Sequence, residues 1–482
     1  MAENNIQPVQ RRYLSVRETI IYGVANGGQV LGYNMMTGQQ MYFLLNVLGV
    51  PPAAVTLMVL LMGFWDAFND PLMGSIVDKT RTRYGKLRPY LIFVPIFLGI
   101  TTVLFFGGAE FLKDVKSDTV KIIYMCITYF LWEITYTIGD IPFWGLSAAI
   151  SPNPADRSTA IKSARFISGI VGGLPGIIIP ICIDNADKTP FTIAQVFLFL
   201  AIFAGTFGMF LFSLSGLCTR ERVQHSNEEP KLLDCFIYMF KNKPLLLLVI
   251  SNILSAFEGI GGHFSQYYYK ISLGVASLSL LVGIPGTLTG WLTYAIMSKL
   301  EKRFRSKQIV VGVSIFNTSI TVLVFLIGSR NYTNMAVIAP LMAILGVFNS
   351  VSASIKAVIP TKMIGETVDY MEWKTGIRNE GMAFSVLTFV GKLTGSLSKV
   401  LATLIVPFVG LKGVGEELVL SPNTTVNTRF WLWALITVIP SVLGLLALIP
   451  YKLYDLEGEK LERIQKENRE RNELKLNHNI AE

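Results

Sequence analysis

Long apolar blocks recur along this chain too often for a water-soluble core to hide them. Residues 92–106, 197–217, 245–254 and 432–450 hold few or no charges. About 20 apolar residues cross a bilayer as one helix, and the unit repeats many times. Over 482 residues the chain is 51% hydrophobic and 16% charged, where a soluble domain carries about a quarter charged residues. Mean hydropathy is +0.49. The chain therefore reads as an all-α polytopic membrane protein.

Twelve spans are predicted, at 20–48, 53–78, 89–108, 119–150, 156–183, 192–218, 244–272, 275–299, 308–329, 334–364, 379–410 and 427–454. Polar residues interrupt spans 1, 4, 10 and 11, which are expected to line a wet cavity. The divisions are a six-helix half over 1–219, a cytoplasmic loop over 220–243, a second half over 244–456 and a charged cytoplasmic tail over 457–482. The tail reads as a solvated appendage. Residues 1–18 are polar and show no apolar signal core. The four cysteines form no C-x-x-C pair and read as small packing residues.

The net charge of +9 would suit nucleic acid, but the bases collect in short loops. Residues 79–88 hold Lys79, Arg81, Arg83, Lys86 and Arg88 with no acid, and 299–307 hold five bases against Glu301. Residues 109–118 hold two lysines against three acids, and 411–420 hold Lys412 against Glu416 and Glu417. Basic loops stay in the cytoplasm. Both termini are thus expected inside, and nucleic acid is not a partner. The two basic loops follow spans 2 and 8, the same place in each half. That is the pattern of a parallel-repeat transporter with its substrate site between the halves.

Chemistry concentrates in residues 65–89, WDAFNDPLMGSIVDKTRTRYGKLRP. Asp66, Asn69 and Asp70 share one helix face, and acids at membrane depth mark an ion or substrate path. Pro71 frees the carbonyl of Ala67 from its helical donor. Carboxylates, an amide oxygen and freed backbone suit a hard monovalent cation such as Na+, and they suit a proton equally. A structural ion pair is the plainer alternative, but two acids on one face exceed what a single pair needs.

In span 4, Glu133, Tyr136, Thr137, Asp140 and Trp144 step by three or four. A carboxylate beside an aromatic ring suits a sugar, the acid taking hydroxyl protons and the ring covering the C–H face. For Trp144 the bland alternative is an interfacial anchor, which fits Trp431 and Trp433 better. Span 1 carries a stripe of Asn26, Gln29, Tyr33, Thr37 and Gln40, suited either to hydroxyls or to helix–helix contact. Arg165 in span 5 and Lys392 in span 11 are bases at membrane depth, with Asp66, Asp70 and Asp140 as candidate partners. Lys392 shares a face with Ser385, Thr388 and Ser396. It is expected to stand in for the cation when the site is empty and so to couple loading to conformation. Gly74, Asp78, Arg81, Arg83 and Arg88 form a gating and anchoring loop that resembles the loop 2–3 motif of the major facilitator superfamily.

Three segments in order, the run WDAFNDPLMGSIVDKTRTRYGKLRPY, TYTIGDIPFWGL in span 4 and ETVDYMEWKTGIRNEGMAFSVLTFVGK in spans 10 to 11, resemble the glycoside–pentoside–hexuronide:cation symporters. The resemblance implies the major facilitator fold and symport of a glycoside, oligosaccharide or hexuronide with Na+ or H+, without other cofactor. It implies a cation site at Asp66, Asn69, Asp70 and Thr137 with Lys392 close by, and sugar recognition by Asp140, Trp144 and Arg165. It also implies a multi-pass protein of the cell membrane whose partners are a small sugar and lipid, expected to work as a monomer. In the melibiose-carrying branch a sugar-binding aspartate stands in span 1, and ungapped alignment from span 2 puts Val30 there. A span 10 tryptophan falls at Ala357, beside Lys356. A lost acid and a nearby base lean towards an anionic substrate, with Lys356 contributing, unless Glu258 pairs with Lys356 and cancels the charge. A competing reading is a Mg-dependent intramembrane prenyltransferase, with Asp66, Asp70 and Asp78 in one acidic set and Glu366, Asp369 and Glu372 in the other. Twelve spans and the bases beside both sets argue against it.

Overall fold

The computed structural model describes residues 13–151, 153–188, 190–222, 232–376, 380–414, 417–420 and 427–481. Within them the chain is a succession of helical rods. The first six are α1 (Val16–Asn34, continued by π-helical turns at Met35–Gln39 and Phe43–Val47), α2 (Pro52–Lys79), α3 (Arg88–Phe111), α4 (Asp118–Ala149), α5 (Pro154–Val171, then Leu174–Asp184) and α6 (Ile193–Cys218). After a short helix at Leu232–Lys241 come α7 (Lys243–Leu254, then Ala256–Leu273), α8 (Leu278–Arg303), α9 (Ser306–Gly328), α10 (Met335–Thr375), α11 (Glu380–Ile405) and α12 (Thr428–Leu453). A two-stranded sheet, Leu411–Val414 with Glu417–Leu420, lies between α11 and α12, and a helix over Glu459–Ala481 closes the chain.

Local sequence explains several ends. Ser15 and Glu18 close a reciprocal capping box on α1, and Thr192 and Gln195 do the same for α6. Proline opens α2 and stands in the first turn of α3, where its missing N–H costs nothing. Nine helices among the described residues are long and apolar enough to cross a membrane, and Pro52–Asp66 is a shorter apolar helix. The outward faces are greasy. On α3, Phe93, Ile96, Phe97 and Ile100 are all more than half exposed and repeat at helical spacing. Water would not tolerate that stripe; acyl chains do. The protein is a multi-pass membrane protein.

Two compact units emerge, one of Met1–Pro51, Phe68–Glu229 and Val414–Glu417, the other of Pro52–Ala67, Pro230–Gly413 and Leu418–Glu482. In the first, an aromatic knot of Phe43, Phe106 and Phe197 (ring centroids 5.0, 5.1 and 5.7 Å apart) holds α1, α3 and α6. Small residues let helices touch: a Cβ at Gly205 would lie 2.7 Å from the carbonyl oxygen of Gly99. In the second, Ile355, Ile359, Met363 and Val368 of α10 bury against Leu245 and Leu248 of α7 and Val386 and Val390 of α11. The second core also takes in Tyr454, Leu456 and Ile464, which belong to the chain after α12.

Candidate substrate and cation sites

The first unit brings α1, α4 and α5 together around one carboxylate. Asp140 Oδ1 accepts from Gln29 Nε2 at 2.7 Å, Tyr136 OH at 3.2 Å and Trp144 Nε1 at 3.2 Å. Tyr136, Asp140 and Trp144 meet because they sit four apart on α4. Gln29 is buried and is itself held by Asn26 Nδ2 at 3.3 Å. Tyr33 stacks on Tyr136 with centroids 5.1 Å apart, and Trp132 backs the same ring at 4.9 Å. The Arg165 guanidinium lies 4.7 Å over the Trp144 ring. That is a cation–π contact between α5 and α4. Seven of the residues singled out in the sequence, Asn26, Gln29, Tyr33, Tyr136, Asp140, Trp144 and Arg165, share this cluster. It presents an oriented carboxylate, two aromatic planes and a cation, which together can bind hydroxyls and C–H faces.

Val30 faces elsewhere. A Cβ at Gly172 would meet Val30 Cγ1 at 2.5 Å, so Val30 packs onto the break in α5. The α1 stripe also does not stay in phase. Tyr33 is 38% exposed while Gln39 and Gln40 are both buried, because the π turn at Met35–Gln39 rotates the helix beyond it.

For the cation set, Asn69 and Thr137 are buried, and among the described residues Asn69 Nδ2 and Thr137 Oγ1 have no hydrogen-bond partner. Buried polar atoms are normally satisfied, so these mark polar space. Asp66 and Lys392 are half-buried. In the second unit α2 lies against α11, where a Cβ at Gly63 would come 2.7 Å from Ser396 Cβ. Asp66 is one turn beyond Gly63 and Lys392 one turn before Ser396, each on the contacting face. Helix α2 runs through Asp70, Gly74 and Asp78 and α11 through Ser385 and Thr388, but the side-chain positions of these five lie outside the described residues.

Lys356 is paired. Its Nζ lies 2.6 and 2.9 Å from the two oxygens of Glu258, so the excess positive charge it lent to the cavity is cancelled. The basic loop after α2 is organised from a distance, by a residue the sequence did not single out. Glu221 accepts from the backbone N–H groups of Lys86, Leu87 and Arg88 at 3.0, 2.9 and 3.0 Å. The loop reaches it through Gly85 at φ +110°, where a side chain would strike the carboxylate. Arg88 Nε donates to the carbonyl of Gly216 at 2.7 Å, Arg83 Nη2 to Tyr84 OH at 2.7 Å and Arg81 Nη1 to the carbonyl of Thr80 at 3.1 Å. Next door, Arg222 Nη2 holds both oxygens of Glu18 at 2.8 and 3.0 Å, and Arg222 Nη1 donates to Ile150 at 3.0 Å. The contacts of Glu221 and Arg222 link residues more than 70 apart, beyond any local pattern.

The tail is a correction. Expected as a solvated appendage, it forms a helix docked on the end of α10. Trp373 Nε1 donates to Glu467 at 2.6 Å, Gln465 Nε2 to Asp369 at 3.0 Å and Asn468 Nδ2 to the Asp369 carbonyl at 2.9 Å. Ile464 is fully buried there. Charge density hid this, because Ile464 and the partly buried Leu461, with side-chain hydrogen bonds around them, suffice to dock an otherwise charged helix.

Residues 21–458 match the family model described as MFS/sugar transport protein. The chain belongs to that family. As a member of it, the transporter is no enzyme, and the prenyltransferase reading falls. Among relatives, a glucuronide carrier protein homolog of Escherichia coli (strain K12) is 26% identical over 94% of this chain and 95% of its own length. An isoprimeverose transporter of Lactiplantibacillus pentosus is 22% identical over 95% and 93%. Among solved structures, the transporter resembles a nucleoside transporter (TM-score 0.58, 13% identity, 91% of this chain and 98% of that one). It also resembles a D-xylose-proton symporter (TM-score 0.57, 14% identity, 91% and 97%). At these identities the likeness establishes the major facilitator fold and nothing finer.

Proposed function

We propose that the transporter carries a glycoside together with a monovalent cation, Na+ or H+, by alternating access. The observation that carries this is the Asp140 cluster: three protein donors on one carboxylate oxygen, flanked by Trp144, Tyr136 and Arg165. That oriented acid beside rings is suited to a polyol, and relatives named as a glucuronide carrier homolog and an isoprimeverose transporter support a glycoside.

In this reading the chain crosses the membrane twelve times with both termini inside and works as a monomer. Asp66, Asn69, Asp70 and Thr137 receive the cation. Consecutive spans run in opposite directions, so α2 and α11 are antiparallel, and the turns from Gly63 to Asp66 and from Ser396 back to Lys392 advance the same way. The Gly63–Ser396 contact therefore supports Lys392 as the charge that occupies the neighbourhood of Asp66 when the cation leaves. Loading neutralises the carboxylates, and a cavity with less net charge closes at lower cost.

The test is sugar-induced ion movement in proteoliposomes, screened across glycosides with and without sodium. Asp70→Cys is expected to abolish cation-stimulated uptake. Undiminished stimulation by sodium or protons in that variant would refute the cation assignment.

A further inference from the structure

The second unit holds a charge pair for which the cation site has no use. Helix α7 stops at Leu254 and restarts at Ala256, and the amide of Ser255 turns back to the carbonyls of Ser251 and Asn252, at 3.0 Å each. Glu258 stands in the first turn of the restarted helix, where the exposed N–H groups favour a negative side chain. Its carboxylate grips Lys356 of α10 through both oxygens, at 2.6 and 2.9 Å. Beneath it lies Gly444 of α12, whose added Cβ would come 2.6 Å from Glu258 Oε1 and 2.8 Å from Cδ. Three helices thus fix the carboxylate, and a bare glycine makes room for it.

The pair is not sealed in packing. Lys356 and Glu258 keep 26% and 33% side-chain exposure, and they face a cavity of about 290 Å³ that Asn252, Ser255, Ser314 and Tyr451 also line. Ligand sites begin at about 300 Å³, so this one suits a single ring. An ion pair at membrane depth contributes little to stability, because desolvation offsets attraction. Its retention in a cavity whose walls are otherwise mostly apolar, among them Leu248, Val310 and Leu387, points to recognition. Carboxylate and ammonium together accept from and donate to neutral hydroxyls, whereas a substrate anion would find Lys356 already satisfied and Glu258 repelling it.

We propose that Glu258 is a specificity-determining residue: as resident counter-ion of Lys356 it makes this subsite select uncharged glycosides and reject acidic ones. The proposal rests on the sugar-transport reading above.

The test uses full-length protein in proteoliposomes with a matched pair of substrates, a neutral aryl β-glycoside and the aryl β-glucuronide. Wild type is expected to favour the neutral sugar at least tenfold in kcat/KM. Glu258→Gln should move that ratio at least tenfold towards the glucuronide, through a lower KM for the acid. Glu258→Gln/Lys356→Gln, with no uncompensated charge in the cavity, should return the preference to the neutral sugar. A wild type that prefers the glucuronide overturns the proposal even if the single variant folds poorly. So does an unchanged ratio in Glu258→Gln, or a shift that survives in the double variant. Cation-dependent uptake of neither sugar by wild type, nor of any other glycoside, defeats the sugar-transport reading itself, a different result from the wrong preference.

Discussion

Asp140 shows how much one side chain can organise. Its three donors come from two helices, and hydrogen bonds to a charged acceptor are worth about 1.5–3 kcal/mol each. Asp140→Asn keeps the shape but replaces a double acceptor with an amide that also donates. Uptake at low sugar concentration should fall by about ten- to a hundredfold, read as kcat/KM in proteoliposomes. Trp144→Phe keeps the ring, loses one donor and should cost roughly tenfold or less. The order of these two effects distinguishes a binding carboxylate from a merely packed one. Helical spacing made Tyr136, Asp140 and Trp144 legible as one face, and the amide of Gln29 was readable as polar. That Gln29 reaches Asp140, 111 residues away, was not, because register between helices depends on packing across both.

Among elements, the ends of helices are where long-range chemistry hid. Glu221 closes the loop between α2 and α3, and it has a counterpart after α12. There Lys307 Nζ in the first turn of α9 donates to the carbonyl of Tyr454 at 2.9 Å and approaches Glu457 at 4.0 Å. Loop placement pointed to a repeat, but the two closures use different groups, a carboxylate on backbone N–H groups in one and an ammonium on a backbone carbonyl in the other. Removing the Glu221 carboxylate orphans three N–H groups, so Glu221→Ala should lower stability by about 2–4 kcal/mol, seen as a lower Tm in detergent. The neighbouring clasp is pH-sensitive. Burial pushes the Glu18 carboxyl up, but the hydrogen bond and charge of Arg222, with the Ser15 N–H, bring it below its ordinary 4.5. A group lowered on folding stabilises above its unfolded pKa and loses that contribution as pH falls. Tm should therefore drop as pH falls below 4.5, and Arg222→Gln should flatten that part of the curve.

For the whole molecule, hydropathy made the membrane class and most helical rods legible, because lipid demands internally satisfied backbones and apolar faces. What it obscured were interruptions. The break in α7 at Ser255 follows an apolar run with no proline or glycine at the break, and it became visible only where Glu258, Lys356 and Gly444 meet. The docked tail was hidden for the opposite reason, its few apolar contacts being scattered among charged residues. Deleting 459–481 should expose the apolar surface that Ile464 covers and free the Trp373 indole from Glu467. The truncated protein should unfold at a lower temperature than full-length protein, by several degrees in a detergent thermal scan.

The π turns in α1 bear on ancestry as well as shape. Each such turn is what remains when one residue is inserted into an α-helix, and a residue's step is about 100° at 3.6 per turn. Two of them, at Met35–Gln39 and Phe43–Val47, lie between Val30 and α2. An alignment carried backwards from α2 without gaps slips by one position for every insertion that a relative lacks. A single slip moves the comparison from Val30 to Gln29, the residue bonded to Asp140. With one such slip, the position to set against the aspartate of the melibiose-carrying branch is Gln29, and Val30 is its neighbour.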